Sequence, residues 1–187
     1  YNEKVAKEKE KREREKEIPV SPMLAIEYEK TNNLFGKKIT TTGIKAKKID
    51  RRFFISKKID GIRCITKYGN GFSRSGKKMK NKYILERLKE MPDYLIFDGE
   101  ITTGKIEKGV TFANLTDGIM KISGEPNFTY HIFDLVLDGK THKERYDILC
   151  SIKDSLPEYC NIVEKTIVES EEDMKRIASE YLEEGYE

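Results

Sequence analysis

The residues able to do chemistry in this chain sit where apolar runs begin or end. The first group lies in Ile55-Ser56-Lys57-Lys58-Ile59-Asp60-Gly61-Ile62-Arg63-Cys64, where Lys58, Asp60 and Arg63 separate two stretches of β-forming residues. Asp-Gly between β-formers is a turn signal, so the stretch predicts a hairpin with Lys58 at its lip. A lysine at such a lip faces a cleft or solvent. On its own the stretch reads equally well as a surface hairpin in a lysine-rich protein. Ser73-Arg74, Asp98 with Glu100, and Asp134 after Phe133 interrupt later apolar runs in the same way, and a further cluster begins at Glu187. Together they supply a lysine, two arginines and several carboxylates at strand ends. That is the inventory needed to bind a nucleoside triphosphate with a divalent metal.

Each residue type has a reason to be there. A lysine amine attacks phosphorus only when deprotonated. The ordinary lysine pKa is roughly 10.4, so neighbouring cations or desolvation must lower it. A divalent cation on phosphate and carboxylates supplies such charge and stabilises the transition state. Arginine makes forked contacts to phosphate that lysine cannot make. Carboxylates hold metal or ribose hydroxyls, and an aromatic ring can stack on a base.

The elements that must position these groups are legible in outline. Arg52–Ile55, Ile62–Thr66 and a stretch near Gly71–Ser73 read as strands. Asn81 can cap a helix with Ile84, Leu85 and Leu88 on one face, ended by Met91-Pro92. Tyr94–Phe97 reads as a buried strand closed by an Asp98-Gly99-Glu100 turn, and Phe112–Met120 as a short helix or irregular segment. Phe128–Leu137 alternates as a strand, with Tyr130, Ile132 and Leu135 apolar, and Asp138-Gly139 turns it. Lys143–Leu156 reads as a helix stopped by Pro157, and Asn161–Val168 as a strand. Ser170 with Asp173 marks the start of a last helix, whose face is Met174, Ile177, Ala178, Tyr181 and Leu182 and whose stop is Gly185. Strands with interspersed helices predict an α+β fold with antiparallel sheets.

Composition narrows the class. Hydrophobic and charged residues each make up 37% of 187 residues, which suits a polar protein with a modest core. No apolar run approaches the ~20 residues that span a bilayer, so no membrane partner is expected. Cys64, Cys150 and Cys160 lie far apart with no CxxC pair, which predicts thiols in a reducing, intracellular setting. Net charge is only +3, but residues 30–82 carry a dense lysine and arginine set against Asp50 and Asp60, while residues 164–187 are mostly acidic. A basic half suggests a polyanion partner, or a compositional lysine bias. Lys77 and Lys78, with Lys80 and Lys82, suit either a phosphate-tracking patch or a solubility feature. Residues 1–17 alternate Glu with Lys and Arg and read as a solvated helix or disordered lead-in. The chain starts at Tyr1 and stops at Glu187 just after a helix, as a piece of a longer protein would.

Taken in order, the clusters resemble the ATP-dependent DNA ligases. Lys58-Ile59-Asp60-Gly61-Ile62-Arg63 fits KxDGxR, the nucleotidyltransferase motif I. Ser73-Arg74-Ser75-Gly76 resembles motif Ia, Phe97-Asp98-Gly99-Glu100 motif III, and Tyr130-His131-Ile132-Phe133-Asp134 motif IIIa. Gly185-Tyr186-Glu187 resembles the lead-in to motif IV, and Pro22-Met23-Leu24-Ala25 a segment that often precedes the domain. KxDG alone is short; five elements in order are specific. The resemblance covers Ile18 to Glu187 and implies an ATP-grasp-like adenylation domain. Motif V and the OB-fold domain would lie beyond this chain.

The resemblance also implies roles. Lys58 would carry AMP from ATP, pass it to the 5′-phosphate of nicked duplex DNA, and let the 3′-hydroxyl seal the nick, as in DNA replication, repair and recombination. Asp60 would support the nucleophile. Ser56, Lys57 and Arg63 would border the nucleotide, Glu100 would bind ribose, and Phe133 would stack on adenine. Asp98 and Glu187 would hold Mg²⁺ or Mn²⁺. Arg74, Ser73, Lys77 and Lys78 would contact DNA. The enzyme would act as a monomer. An RNA ligase or an mRNA capping guanylyltransferase shares the KxDG lysine. A non-catalytic nucleic-acid-binding module would use the basic half but has no need of Asp60, Asp98 and Glu100.

Overall fold

The computed structural model describes residues 52–186. The 1–17 lead-in, the Pro22–Ala25 segment and Glu187 lie outside the described residues. Among the described residues, seven strands and four helices follow in order, with short 3₁₀ turns between some of them. They are β1 (Phe53–Ser56), β2 (Ile62–Lys67), β3 (Asn70–Phe72), α1 (Lys82–Arg87), β4 (Phe97–Thr103), α2 (Phe112–Thr116), β5 (Phe128–Leu135), α3 (His142–Ser151), β6 (Cys160–Ile162), β7 (Lys165–Val168) and α4 (Glu171–Glu183), with a 3₁₀ turn at Leu88–Glu90 after α1.

The main sheet has the order β3-β2-β4-β5-β6, antiparallel throughout except for the parallel β5–β6 edge. The α+β expectation holds, with that one parallel pair added. Its core gathers Ile84 and Leu88 from the α1 region, Phe97 and Ile101 from β4, Tyr130 and Ile132 from β5, and Leu149 from α3. Tyr130 also rivets the sheet. Its hydroxyl donates to the carbonyls of Cys64 at 2.8 Å and Phe97 at 3.2 Å, so β5 is tied to both β4 and β2. No helix among the described residues is long and apolar enough to cross a membrane.

The local signals set the helices. Asn81 caps α1, its carbonyl oxygen accepting from the Ile84 amide at 3.0 Å while its amide donates to Gly118 and Gly124 carbonyls. Thr141 and Glu144 form a capping box on α3. Ser170 caps α4, accepting from the Asp173 amide at 3.0 Å. The helix ends near Gly185, which stands at φ 97°. Leu182, placed on the apolar face by its spacing, is exposed, and Ile177 is the residue of that face that is buried. α3 stops at Ser151, and a 3₁₀ turn at Lys153–Ser155 completes the run to Pro157.

Three strand expectations change. β1 and β2 do not form a hairpin: β1 pairs antiparallel with β7 in a separate two-stranded ribbon, and β2 pairs with β3 and β4. The tight hairpin is β2–β3, whose two-residue turn, Tyr68 at φ 50° and Gly69 at φ 67°, has the twist of a type I′ turn. Second, β4 begins at Phe97 and runs through Asp98-Gly99-Glu100, so these residues are mid-strand, and Tyr94 is 74% exposed. Third, the Asn161–Val168 run divides. Val163 donates to the Ile132 carbonyl at 2.8 Å, ending the β6 side, and Lys165 starts pairing with β1. One continuous stretch thus joins the two sheets.

Candidate functional site

The segment from Lys57 to Gly61 crosses from the ribbon to the main sheet. Gly61 is where it touches down. A Cβ there would stand 2.6 Å from the Ile101 carbonyl oxygen and 2.9 Å from Thr102 Cγ2, so only glycine lets the crossing lie against β4. This brings the crossing alongside the strand that carries Asp98 and Glu100. Arg63 of β2 is the register partner of Glu100 and lies diagonally across from Asp98.

Arg63 and Asp98 make a forked pair, Nε to Oδ1 at 2.6 Å and Nη2 to Oδ2 at 2.7 Å, both side chains largely buried. Burial opposes the charge on Arg63, and the Asp98 carboxylate more than offsets it, so the guanidinium is held above its ordinary pKa. Both Asp98 oxygens are thereby engaged. Expected as a metal ligand, Asp98 instead anchors the arginine. Among the described residues no three His, Cys, Asp or Glu side chains stand close enough to hold a metal ion. Glu187, the other expected metal ligand, lies outside the described residues.

Glu100 is the electrostatic centre of the group. Burial pushes its pKa up to about 7; Asp98 and Asp60 push the same way, and Arg63 and Lys58 oppose. Lys58 and Asp60 from the crossing, Arg63 from β2 and Asp98 from β4 thus all act electrostatically on one carboxyl. Its Oε2 is buried with no hydrogen-bond partner. A buried acceptor left open costs roughly 1–3 kcal/mol, which a hydroxyl donor from a ligand would recover.

Phe133 comes from a bulge. Opposite β4 the pairing steps from Gly99–Ile132 to Asp98–Asp134, and the ladder skips Phe133. The extra residue turns Phe133 toward Arg63, whose guanidinium carbon lies 4.6 Å from its ring centre. Gly99 makes room beside it. A Cβ there would meet the His131 carbonyl oxygen at 2.3 Å and the Tyr130 ring at 2.7 Å.

Other expected residues sit apart from this group. Lys57 is held at the end of α4, by an ion pair with Glu184 and by the rings of Tyr186 and Tyr181, 4.5 and 5.4 Å from its ammonium. Glu184 raises the Lys57 pKa. Ser56 is exposed at the end of β1. Ser73, Arg74, Lys77 and Lys78 share a tight loop, closed by Ser73 N to the Lys77 carbonyl at 2.8 Å and by Gly76 N to the Ser73 carbonyl at 2.8 Å. Arg74, Lys77 and Lys78 face solvent from it. Asp134 forms a second forked pair with Arg145 of α3, at 2.9 and 2.8 Å. His131, bonded to Thr102 Oγ1 at 3.0 Å, is held neutral by burial, which lowers its pKa to about 4.

Sequence reasoning missed Arg145, Glu184 and Lys165 as parts of this framework, and nothing in their local pattern marks them. It also missed the bulge. There a signal exists: the buried positions Tyr130, Ile132 and Leu135 are spaced by two and then by three.

The model of the ATP-dependent DNA ligase domain family matches residues 22–187. No curated protein matches the chain. Among solved structures, the Chlorella virus DNA ligase-adenylate is similar at 24% identity and a TM-score of 0.58, over 72% of this chain and 51% of that one. A Lig E DNA ligase gives 18% identity and 0.54, over 72% and 52%. The ligase domain of M. tuberculosis LigD gives 17% identity and 0.50, over 73% and 46%. The chain thus spans about half the length of these relatives, and the likeness establishes a shared fold.

Proposed function

Because the chain belongs to the ATP-dependent DNA ligase domain family, we propose that it forms the nucleotide-binding part of an enzyme that seals nicks in duplex DNA. The observation that carries this is the setting of Glu100: an unpartnered buried carboxyl oxygen on a residue opposite Arg63 in register, within the electrostatic reach of Asp98, Lys58 and Asp60. Such an arrangement has no use in a module that only binds nucleic acid.

In the first step the deprotonated Lys58 Nζ attacks the α-phosphorus of ATP. The Nζ–P bond forms as the bond to pyrophosphate breaks, and the ammonium proton passes to solvent. Glu100 accepts from the ribose hydroxyls. Phe133 offers its ring to adenine, one face being already covered by Arg63. Asp60 flanks the nucleophile. Arg63 stays aligned through its two bonds to Asp98. AMP then passes to the 5′-phosphate of the nick, and the 3′-hydroxyl displaces it. The loop with Ser73, Arg74, Lys77 and Lys78 is the proposed contact with that DNA. A divalent cation, Mg²⁺ or Mn²⁺, would supply positive charge to the ATP phosphates, and Glu187 would help to hold it.

The test is mass spectrometry of the intact protein that carries this chain. With ATP and Mg²⁺ it should gain the mass of AMP on Lys58, and Lys58→Ala should gain none. Label on Lys58→Ala, or GMP from GTP in place of AMP, sinks the reading.

A further inference from the structure

Lys165 stands where the two sheets meet. On β7 it is the register partner of Ser56, the residue just before Lys57-Lys58. Its side chain leaves the ribbon and reaches the main sheet. There Nζ donates to the Phe133 carbonyl at 2.7 Å and lies 2.6 Å from His142 Nε2, 4.6 Å from the Tyr146 ring centre. Its backbone N–H donates to the Tyr146 hydroxyl at 3.2 Å. Phe54, two residues before Ser56, sets its ring edge-on to His142 at 5.7 Å and stands 6.1 Å from Tyr146. The ribbon thus bears on α3 through Phe54 and is pinned to the β5 bulge through Lys165.

The pin lands on the bulge residue itself. Phe133 is skipped by the β4–β5 register, and its carbonyl takes its bond from Lys165. An ammonium–carbonyl bond in a half-buried place is charge-assisted and stronger than a neutral one. Burial lowers the Lys165 pKa to about 8, with Arg145 adding to the effect and Asp134 opposing it. His142 beside it is also lowered, by burial first and then by Lys165, and so offers its ring nitrogen as an acceptor.

We infer that Lys165 is a positioning residue: it sets the separation between the Phe133 ring, where adenine stacks, and the strand that leads into Lys58. This rests on the nucleotide reading proposed above. Lys165 reaches neither Glu100 nor Lys58 by any of these contacts. It acts through the Phe133 peptide and the Ser56 register. Misplacement of reacting groups by about 1 Å can cost as much as 100-fold in rate. The loss belongs in the rate constant at saturating ATP, because the ring still stacks while the α-phosphorus sits wrongly for Nζ.

The experiment is single-turnover adenylylation of Lys58 in the intact protein with labelled ATP, over a range of ATP concentrations. Lys165→Met should lower the rate constant at saturating ATP roughly 10-fold or more, with less than a 3-fold change in apparent Kd. Lys165→Arg, which keeps a charged donor, should recover most of it. Lys165→Met combined with Phe133→Ala should cost no more than Phe133→Ala alone, because both act on one element. Thermal melts of each variant report folding, and Lys165→Gln replaces Lys165→Met should that variant not fold. Unchanged rates in Lys165→Met overturn the inference while leaving the nucleotide reading intact. Additive losses, or a loss that Arg does not repair, overturn it too, since they describe general packing. Absence of AMP on Lys58 in the unaltered protein overturns the nucleotide reading, and this inference with it.

Discussion

Asp98→Asn asks what Asp98 is for. The substitution keeps size and shape but withdraws the charge and one of the two acceptors that fork onto Arg63 at 2.6 and 2.7 Å. The side chains of Arg63 and Asp98 are 19% and 10% exposed, so the guanidinium cannot simply turn to water. Removing one partner of a fully buried pair costs roughly 3–5 kcal/mol. Here some exposure remains, and Glu100 stands opposite Arg63 in register, ready to take part of its charge. A loss of about 2 kcal/mol is the consistent figure. For a domain of this size that lowers Tm by roughly 4–8 °C. A second effect follows from the same geometry. Glu100 would lose the repulsion of Asp98 and gain more of Arg63, so its pKa, now about 7, should fall.

Two measurements check this: calorimetry with a chelator present, and the adenylylation rate of Lys58 with Mg²⁺ and with Mn²⁺. A structural anchor predicts the lower Tm without any metal, and no rescue by Mn²⁺. A metal ligand predicts the reverse, an unchanged Tm in chelator and activity regained with Mn²⁺. An Asp98→Asn melt within about 1 °C of the unaltered protein would refute the reasoning.

Gly99→Ala should destabilise at or beyond the upper end of the roughly 1–3 kcal/mol usual for overpacking, because the added Cβ meets a backbone carbonyl that cannot yield; a denaturation midpoint matching the unaltered protein would contradict it. Glu100→Gln should flatten the pH dependence of stability. The folded-state pKa of Glu100 is raised from 4.5 to about 7, so its contribution is fully present below 4.5 and is lost as pH rises toward 7. The variant should therefore gain Tm relative to the unaltered protein most at pH 8 and least at pH 4, and parallel Tm–pH curves would count against the shift. Arg74→Ala should spare AMP uptake on Lys58 and slow its transfer to nicked DNA, measured by rapid quench; equal loss of both steps would argue against a role at the nick phosphate.

Element by element, the sequence was most readable where a cap or a period decides the structure. Asn81, Ser170 and the buried positions of β5 stand where their local chemistry puts them. It was least readable where two distant strands meet. The Asn161–Val168 run looks like one strand because both sheets accept the same residue types, and only the tertiary pairing divides it. Lys165 and Arg145 carry no local mark, since ion pairs between elements far apart in sequence have no period. The site residues were legible as an ordered set, whereas the pairing of Asp98 with Arg63 depends on a diagonal cross-strand contact that no spacing within β4 reveals.

Both Asp-Gly dipeptides of the site mislead for one reason, and that reason explains the site. Turn chemistry assigns such glycines a positive φ, yet neither Gly61 nor Gly99 has one. Each is instead a point where backbones press together, Gly61 on the Ile101 carbonyl and Gly99 on the His131 carbonyl and the Tyr130 ring. The two contacts lie on opposite sides of β4, which carries Asp98 and Glu100 between them. Remove the first and the Lys57–Gly61 crossing must lift off β4, taking Lys58 and Asp60 from Glu100. Remove the second and β4 must part from the bulge that turns Phe133 toward Arg63. The absent side chains therefore set the distance between the lysine, the carboxyls and the ring, and a proposal for what Lys58 does is also a proposal for why those two positions are glycine.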